Sequence, residues 1–239
     1  MLIGLVGLPN SGKSTFFKAL TLADVEIANY PFTTIEANQG IAYVSKPCPC
    51  KRIGVKCNPK NSFCINGTRF IPVKLMDVAG LIEGAHLGKG LGNKFLDDLR
   101  QADVLIHVLD ISGTTDEEGK PGKGDPERKI KILENEMDFW LAEIIKRNYE
   151  KVKRIAETTK KDITKLLAEQ LAGLGIREEH IKEAMLKYEI NSLEFASELR
   201  RVSKPIITAA NKIDLPEARE NYERLKNNML EYGKRGVIS

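Results

Sequence analysis

The sequence predicts an α/β fold, a mostly parallel sheet with helices on both faces, and three observations carry that prediction. Short apolar, β-branched runs bounded by Gly, Pro or Asp recur at 2–6, 71–76, 104–109 and 206–209. Their unbroken hydrophobicity is that of strands buried on both faces, as in a parallel sheet covered by helices. Helical patterns at 14–20 and 93–101 lie between the first of these runs. Strands that alternate with helices make a doubly wound sheet, whose functional crevice lies at the carboxyl ends of the strands.

Two stretches break the alternation. Residues 46–70 are rich in Cys, Pro, Asn and Gly and are expected to form a loop or small knuckle. From 126 to 203 the pattern is helical. Ile130, Leu133, Met137, Trp140, Leu141, Ile144 and Ile145 recur at 3 and 4, the spacing of an amphipathic helix. The pattern weakens near 151–165, resumes at Leu167 and Leu171, and stops at the "GLG" of 173–175. "IREEHIKEAMLKYEI" and "SLEFASELRRV" read as shorter helices. The expectation is a sheet domain at 1–125 and 204–239, with a helical arm at 126–203 inserted between two of its strands. "EEGKPGKGD" at 117–125 is read as a flexible connection into that arm. The apolar stripe is assigned to the arm's own packing.

At 239 residues the chain is long enough for one large α/β domain, or a domain plus an insertion, and 42% hydrophobic and 29% charged residues are the composition of a soluble globular protein. Its longest apolar runs, such as "VLIHVLDI", fall far short of the roughly 20 residues a membrane helix needs. No membrane partner is expected. "MLIGLVG" enters a strand with no basic leader, which predicts a cytoplasmic protein, and the chain is read as a monomer. A net charge of +4 permits a nucleic-acid partner without demanding one.

The chemistry starts at "GLPNSGKST", which follows the first strand and opens the first helix. It fits G-x-x-x-x-G-K-[ST] at Gly7, Gly12, Lys13 and Ser14. The glycines let the backbone N–H groups of Asn10 to Thr15, Ser11 among them, converge on phosphate oxygens, and the helix N-terminus adds its dipole. Lys13 is expected to reach the β- and γ-phosphates, and the Ser14 hydroxyl to ligate Mg²⁺. "DVAG" ends a strand at Asp77, placed to hold Mg²⁺ through water, with the Gly80 amide meeting the γ-phosphate. "PFTT" supplies Thr34 to a loop that closes over the metal. "NKID" follows the strand "PIITAA". Asp214 can accept from both N1–H and the 2-amino group of guanine, whereas adenine would leave that carboxylate unpaired. Asn211 is expected to bind the base's other edge and to anchor the phosphate loop, with the Lys212 stem over the ring. Four motifs in this order, each at a strand end, predict binding of Mg²⁺ and GTP or GDP.

With those residues in place the chain resembles the Obg-like GTPases, most closely the YchF branch in its archaeal form. "GLPNSGKST", "IANYPFTTIEANQG", "DVAGLIEGAHLGKGLGNKFLDDLRQAD" and the helical insertion carry the resemblance over essentially the whole chain. It implies a Ras-like P-loop domain with a coiled-coil arm, slow nucleotide hydrolysis, a following TGS domain, and ribosome association. Two departures stand out. YchF proteins often carry Glu at the base motif and prefer ATP, whereas "NKID" is the guanine form. The chain also stops at "GVIS", before the Ser-Ala base contact and the TGS domain, so a shortened chain is expected.

One position poses a mechanistic problem. Leu81 stands where many P-loop switches place the Gln that aims the attacking water, and Leu can neither donate nor accept a hydrogen bond. The resemblance makes this apolar residue a feature of the branch. Two sources of catalysis fit. Asn10 stands where related GTPases hold K⁺ against the phosphates, although it fits equally as a cap of the loop. Alternatively "EGAHLGKGLGN" refolds on a partner and brings in His86 or a partner's group.

Two further groups draw attention. Cys48, Cys50, Cys57 and Cys64 could bind structural zinc, remain free thiols, or form a loop disulfide. The run 151–165 holds six Lys or Arg against Glu157 and Asp162, a solvated helix face or a contact for rRNA phosphates. The reading is a slow GTPase switch acting with the ribosome. Its alternatives are a YchF-type ATPase and a nucleotide-gated binding module with negligible turnover.

Overall fold

A computed structural model of the chain describes residues 1–21, 38–80, 83–87, 92–231 and 237–238. Among these, seven strands form one sheet: β1 (Leu2–Val6), β2 (Gln39–Pro47), β3 (Phe63–Ile65), β4 (Thr68–Asp77), β5 (Val104–Asp110), β6 (Ile206–Asn211) and β7 (Val237–Ile238). The order is β2-β4-β1-β5-β6-β7, with β3 alongside the start of β4. Pairings β4–β1, β1–β5, β5–β6 and β6–β7 are parallel, while β2 and β3 run antiparallel to β4.

Alternation along the strands sends side chains to two cores. Leu5, Leu75 and Ile106 meet Phe16 and Phe17 of α1 (Lys13–Thr21) on one face. Their neighbours Val6, Met76 and Leu105 pack on the other, against Phe95 and Leu99 of α3 (Gly92–Gln101). Gly4 leaves room for this packing, since a Cβ there would lie 2.9 Å from Leu105 Cδ2 of β5 and 3.0 Å from the Ala102 Cβ just past α3. At the far edge Leu109 and Ala210 meet Leu225 of α8 (Ala218–Glu231).

Between β5 and β6 the chain is helical: α4 (Pro126–Thr159), α5 (Ile163–Leu171), α6 (Glu178–Met185) and α7 (Leu193–Ser203). The Asp125 carboxylate caps α4 by accepting from Glu127 N at 3.1 Å, and Pro126 fills the first turn where an N–H would go unused. At 34 residues α4 is about 50 Å long. It continues through the polar stretch where the apolar pattern fades, and stops at Lys160 in the left-handed conformation. Val152 is buried within that polar stretch and keeps it in contact with the rest of the insert. Leu133, Met137, Trp140, Leu141 and Ile145 share one continuous apolar cluster with α7 and with the α3 face of the sheet. A buried Arg200–Asp138 ion pair crosses from α7 to α4. Lys204 closes the insert by donating to the carbonyls of Leu99 at 3.0 Å and Ala102 at 2.7 Å, at the C-terminal end of α3.

The connection into α4 differs from the flexible linker expected from its glycines. Thr115 and Pro121 form an antiparallel bridge, and Gly122 N and Gly124 N donate to the carbonyls of Thr114 and Gly113. The Asp116 carboxylate accepts from the amides of Glu118 and Lys120 at 3.0 and 2.8 Å. The glycines permit a compact hairpin here because Gly113 and Gly119 take positive φ. The 46–70 region is likewise more regular than a loop. It contains the short helix α2 (Pro49–Ile53), and β3 turns into β4 at Asn66–Gly67, both with positive φ. Among the described residues no helix is long and apolar enough to cross a membrane.

Candidate functional site

The carboxyl ends of β1, β4, β5 and β6 converge; β1, β4 and β6 each lead into one of the motifs, and β5 contributes Asp110. From β1 the chain enters the phosphate loop. Gly7 packs so tightly that a Cβ would lie 2.7 Å from both Ser11 Oγ and Val108 O. Gly12 has φ +88°, and a Cβ there would strike the Asn211 amide nitrogen at 2.3 Å. Asn10 is also left-handed, at φ 58°. Ser11 is buried, and its hydroxyl has no hydrogen-bond partner among the described residues.

The base motif is built onto this loop. Asn211, at the end of β6, donates from Nδ2 to Ser11 O at 2.8 Å across 200 positions of sequence. That bond ties the end of β6 to the phosphate loop. Lys212 follows with φ 60°, and its ammonium runs to Asp110 Oδ2 at 2.9 Å. That bond directs the Lys212 ammonium to the end of β5, a partner the sequence reading did not anticipate. Asp214 is exposed, in a turn closed by Leu215 N donating to Lys212 O at 3.2 Å.

Asp77 collects the phosphate-loop side chains. Lys13 Nζ pairs with its Oδ1, and Ser14 Oγ donates to Oδ2 at 2.9 Å. A hydroxyl and a carboxylate at that separation are the hard oxygen donors Mg²⁺ prefers, so the pair fits that ion. Ser14 and Thr15 are exposed. Gly80 is exposed too, with open space where a Cβ would stand. Thr34 and Leu81 lie outside the described residues.

Several groups at the site escaped the sequence reading. Asp110 is 1% exposed and accepts from Ser112 Oγ at 2.5 Å, Thr115 Oγ1 at 2.7 Å and Lys212. Burial raises its pKa, but those three donors outweigh it and hold the carboxyl below its ordinary value. Lys129 of α4 reaches Thr115 Oγ1 at 3.0 Å. Burial lowers its pKa, against the pull of Asp110. His107 lines the same gap as Ser11, Asp110 and Lys129 beneath the loop. It is 1% exposed, neither ring nitrogen has a partner among the described residues, and burial lowers its pKa to about 4. A second Asp at a strand end and a lone His in an apolar strand were the signals available.

Asn10 makes a contact the sequence reading did not anticipate: its Nδ2 donates to Gly119 O at 2.7 Å. The connector hairpin is thus fastened to the tip of the phosphate loop, so close that a Cβ on Gly119 would lie 2.8 Å from Pro9. His86 is held by the arm, with Nδ1 2.6 Å from Glu136 Oε2 and its ring 5.0 Å from that of Phe139. The four cysteines gather at the opposite end of β4.

Comparison with known proteins agrees with this geometry. A family model described as 50S ribosome-binding GTPase matches residues 2–235. An uncharacterized GTP-binding protein of Methanocaldococcus jannaschii is 54% identical over 97% of this chain and 61% of its own length. The ribosome-binding ATPase YchF of Bacillus subtilis is 33% identical over 93% of this chain and 60% of its own. The crystal structure of a GTP-binding protein from Pyrococcus horikoshii OT3 superposes with a TM-score of 0.81 at 38% identity, covering 100% of this chain and 63% of that one. The chain thus spans about 60% of the length of these two relatives. With the phosphate loop, Asp77 and the Asn211 anchor all converging at one end of the sheet, the chain belongs to the 50S ribosome-binding GTPase family, as a P-loop GTPase of the YchF type.

Proposed function

We propose that this chain binds Mg²⁺·GTP and hydrolyses it slowly, as a nucleotide switch that acts with the ribosome. The observation that carries the reading is the bond from Asn211 to Ser11 O, which makes the base motif and the phosphate loop one unit. A nucleotide held by Asp214 at its base would have its phosphates delivered to Lys13 and to the amides at the N-terminus of α1. Lys13 would leave Asp77 for the β- and γ-phosphates. Ser14 and Asp77 would hold Mg²⁺, with the Thr34 hydroxyl as a third ligand. When bound, the metal neutralises charge that develops on the phosphoryl oxygens. The Gly80 amide would donate to the γ-phosphate.

Because Leu81 cannot aim a water, catalysis here rests on charge stabilisation. Asn10 Oδ1 would hold K⁺ at the phosphates while its nitrogen keeps Gly119. Equal turnover in Na⁺ and K⁺ would remove that part. Ribosome action is supported by the family description, by the printed name of the B. subtilis relative, and by the arm. Lys151, Lys153, Arg154, Lys160, Lys161 and Lys165 are all exposed, and none has an ion pair among the described residues. Such a surface suits RNA phosphates.

Competition between GDP and ADP for one fluorescent nucleotide, with Mg²⁺ and K⁺ present, tests the reading. A strong preference for GDP is expected. Equal or tighter ADP binding would replace it with an ATPase reading, in line with the name of the B. subtilis relative. Turnover measured with and without ribosomes separates an enzyme from a binding module that uses GTP only as a ligand.

A further inference from the structure

The four cysteines take no part in the nucleotide site, yet the fold brings them together from three places. Cys48 caps α2, Cys50 lies in its first turn, Cys57 follows it in a loop, and Cys64 sits in β3. All four Sγ atoms lie within 4.8 Å of one another. Cys48 and Cys57 are 3.5 Å apart, and Cys50 and Cys64 are 3.7 Å apart. A zinc–thiolate bond of about 2.3 Å sets the edge of a tetrahedron at about 3.8 Å, so the sulfurs already stand near tetrahedral spacing. Disulfide sulfurs would be about 2.05 Å apart, and all four thiols are free.

The backbone is arranged to hold that spacing. Cys48 N donates to Gly67 O at 2.8 Å, tying α2 to the β3–β4 turn. The Cys50 carbonyl accepts from Gly54 N at 2.9 Å and Val55 N at 3.2 Å, with Gly54 left-handed at φ 74°. This turns the chain back so that Cys57 can reach Cys48. Arg69 donates from Nη2 to Cys57 Sγ at 3.2 Å. Four thiolates outweigh the two charges of a divalent ion, and a guanidinium in the outer shell offsets the surplus.

We propose that Cys48, Cys50, Cys57 and Cys64 bind one Zn²⁺ in a closed tetrahedral site that locks α2 and β3 onto the start of β4. With four sulfurs there is no open position for substrate, so the ion is structural. Asp77, at the other end of β4, is nine residues from Thr68, about 30 Å along the strand. Metal loading is therefore separate from nucleotide affinity.

The test uses the full chain, purified under reducing conditions and dialysed. Elemental analysis is expected to find one equivalent of zinc, released when a mercurial titrates the four thiols. Co²⁺ added to the metal-free chain should give the intense visible band and sulfur-to-metal charge transfer of a tetrahedral tetrathiolate. Cys57→Ser and Cys64→Ser should each abolish zinc retention and leave the GDP dissociation constant within about twofold. Less than a tenth of an equivalent of zinc, together with no tetrahedral Co²⁺ spectrum, overturns the site. So do two disulfides found in the non-reduced chain, or one equivalent of iron in place of zinc. A tenfold loss of GDP affinity on metal removal overturns the structural role.

Discussion

Glu136 of α4 accepts three hydrogen bonds from the segment that follows the Asp77 loop: Gly84 N at 2.6 Å, His86 N at 2.9 Å and His86 Nδ1 at 2.6 Å. The carboxylate is 4% exposed. Burial would raise its pKa, but donation from the backbone of His86 and Gly84 and from the His86 ring prevails and keeps it below the ordinary Glu value. An arm residue thus fastens the segment at Gly84–His86, a few residues after Gly80 in the sequence. Glu136→Gln removes the charge and sets an amide N–H against one of the three donors. It should lower stability by about 2 kcal/mol in urea unfolding. Amide exchange at Gly84 and His86 should accelerate at the same time. Unchanged exchange at both amides would show that the contact is not kept in solution.

Asp214 should discriminate between bases without contributing to phosphate binding. It is exposed in the Lys212–Leu215 turn, free to receive two charge-assisted bonds from guanine. Asp214→Ala should weaken GDP about 100-fold, some 3 kcal/mol, and leave ADP unchanged. Equal loss for both nucleotides would mean that the residue shapes the turn and does not read the base. Asn211→Ala, which cuts the bond to Ser11 O, should by contrast weaken every nucleotide.

What the sequence disclosed and what it withheld divide along physical lines. β1, β5 and β6 are unbroken apolar runs, and the glycine-rich loop after β1 announces its geometry through Gly7, Gly12 and Lys13. β2 lies open along its second half, so its Lys, Ser and Pro blurred the strand pattern. The β3–β4 hairpin carried a readable mark in Asn66–Gly67, a pair suited to a two-residue turn. The ties of Glu136 to His86 and of Lys212 to Asp110 span 50 and 102 positions. Periodicity does not encode such pairings. Only the buried side of α4 offered a hint, because an acid between Leu133 and Met137 needs a partner.

His107 makes acid stability a reporter of the core beneath the phosphate loop. Its imidazole is buried, and its pKa falls from 6.5 to about 4 because burial disfavours the charged form. The unfolded chain therefore takes up a proton near pH 6.5 that the folded chain resists. The stabilisation is complete above pH 6.5 and is lost as pH falls toward 4, about 3 kcal/mol in all and about 2 by pH 5. His107→Leu should remove this loss and unfold at higher urea than the parent at pH 5. At pH 7 the two should lie within about 1 kcal/mol. His180, which burial also lowers, acts in the same sense, so the difference between the two proteins is the quantity to read. Parallel profiles between pH 7 and 5 would place a proton on His107 in the folded state.

The exposed cations of the arm should report RNA contact through salt. Lys151, Lys153 and Arg154 lie on the last turns of α4, and Lys161 just past its end. The nearest of them is about 25 residues from the start of α4, nearly 40 Å along the helix axis. Changing these four to Glu should leave GDP affinity within twofold, since none touches the phosphate loop. Each phosphate contact that is lost removes about 0.7 to 0.9 from the slope of log affinity against log salt. Ribosome co-sedimentation over a KCl series should therefore show a slope shallower by about three, with binding tenfold or more weaker at moderate salt. An unchanged slope would make the run a solvated helix face. Any ribosome contact would then have to lie elsewhere on the chain.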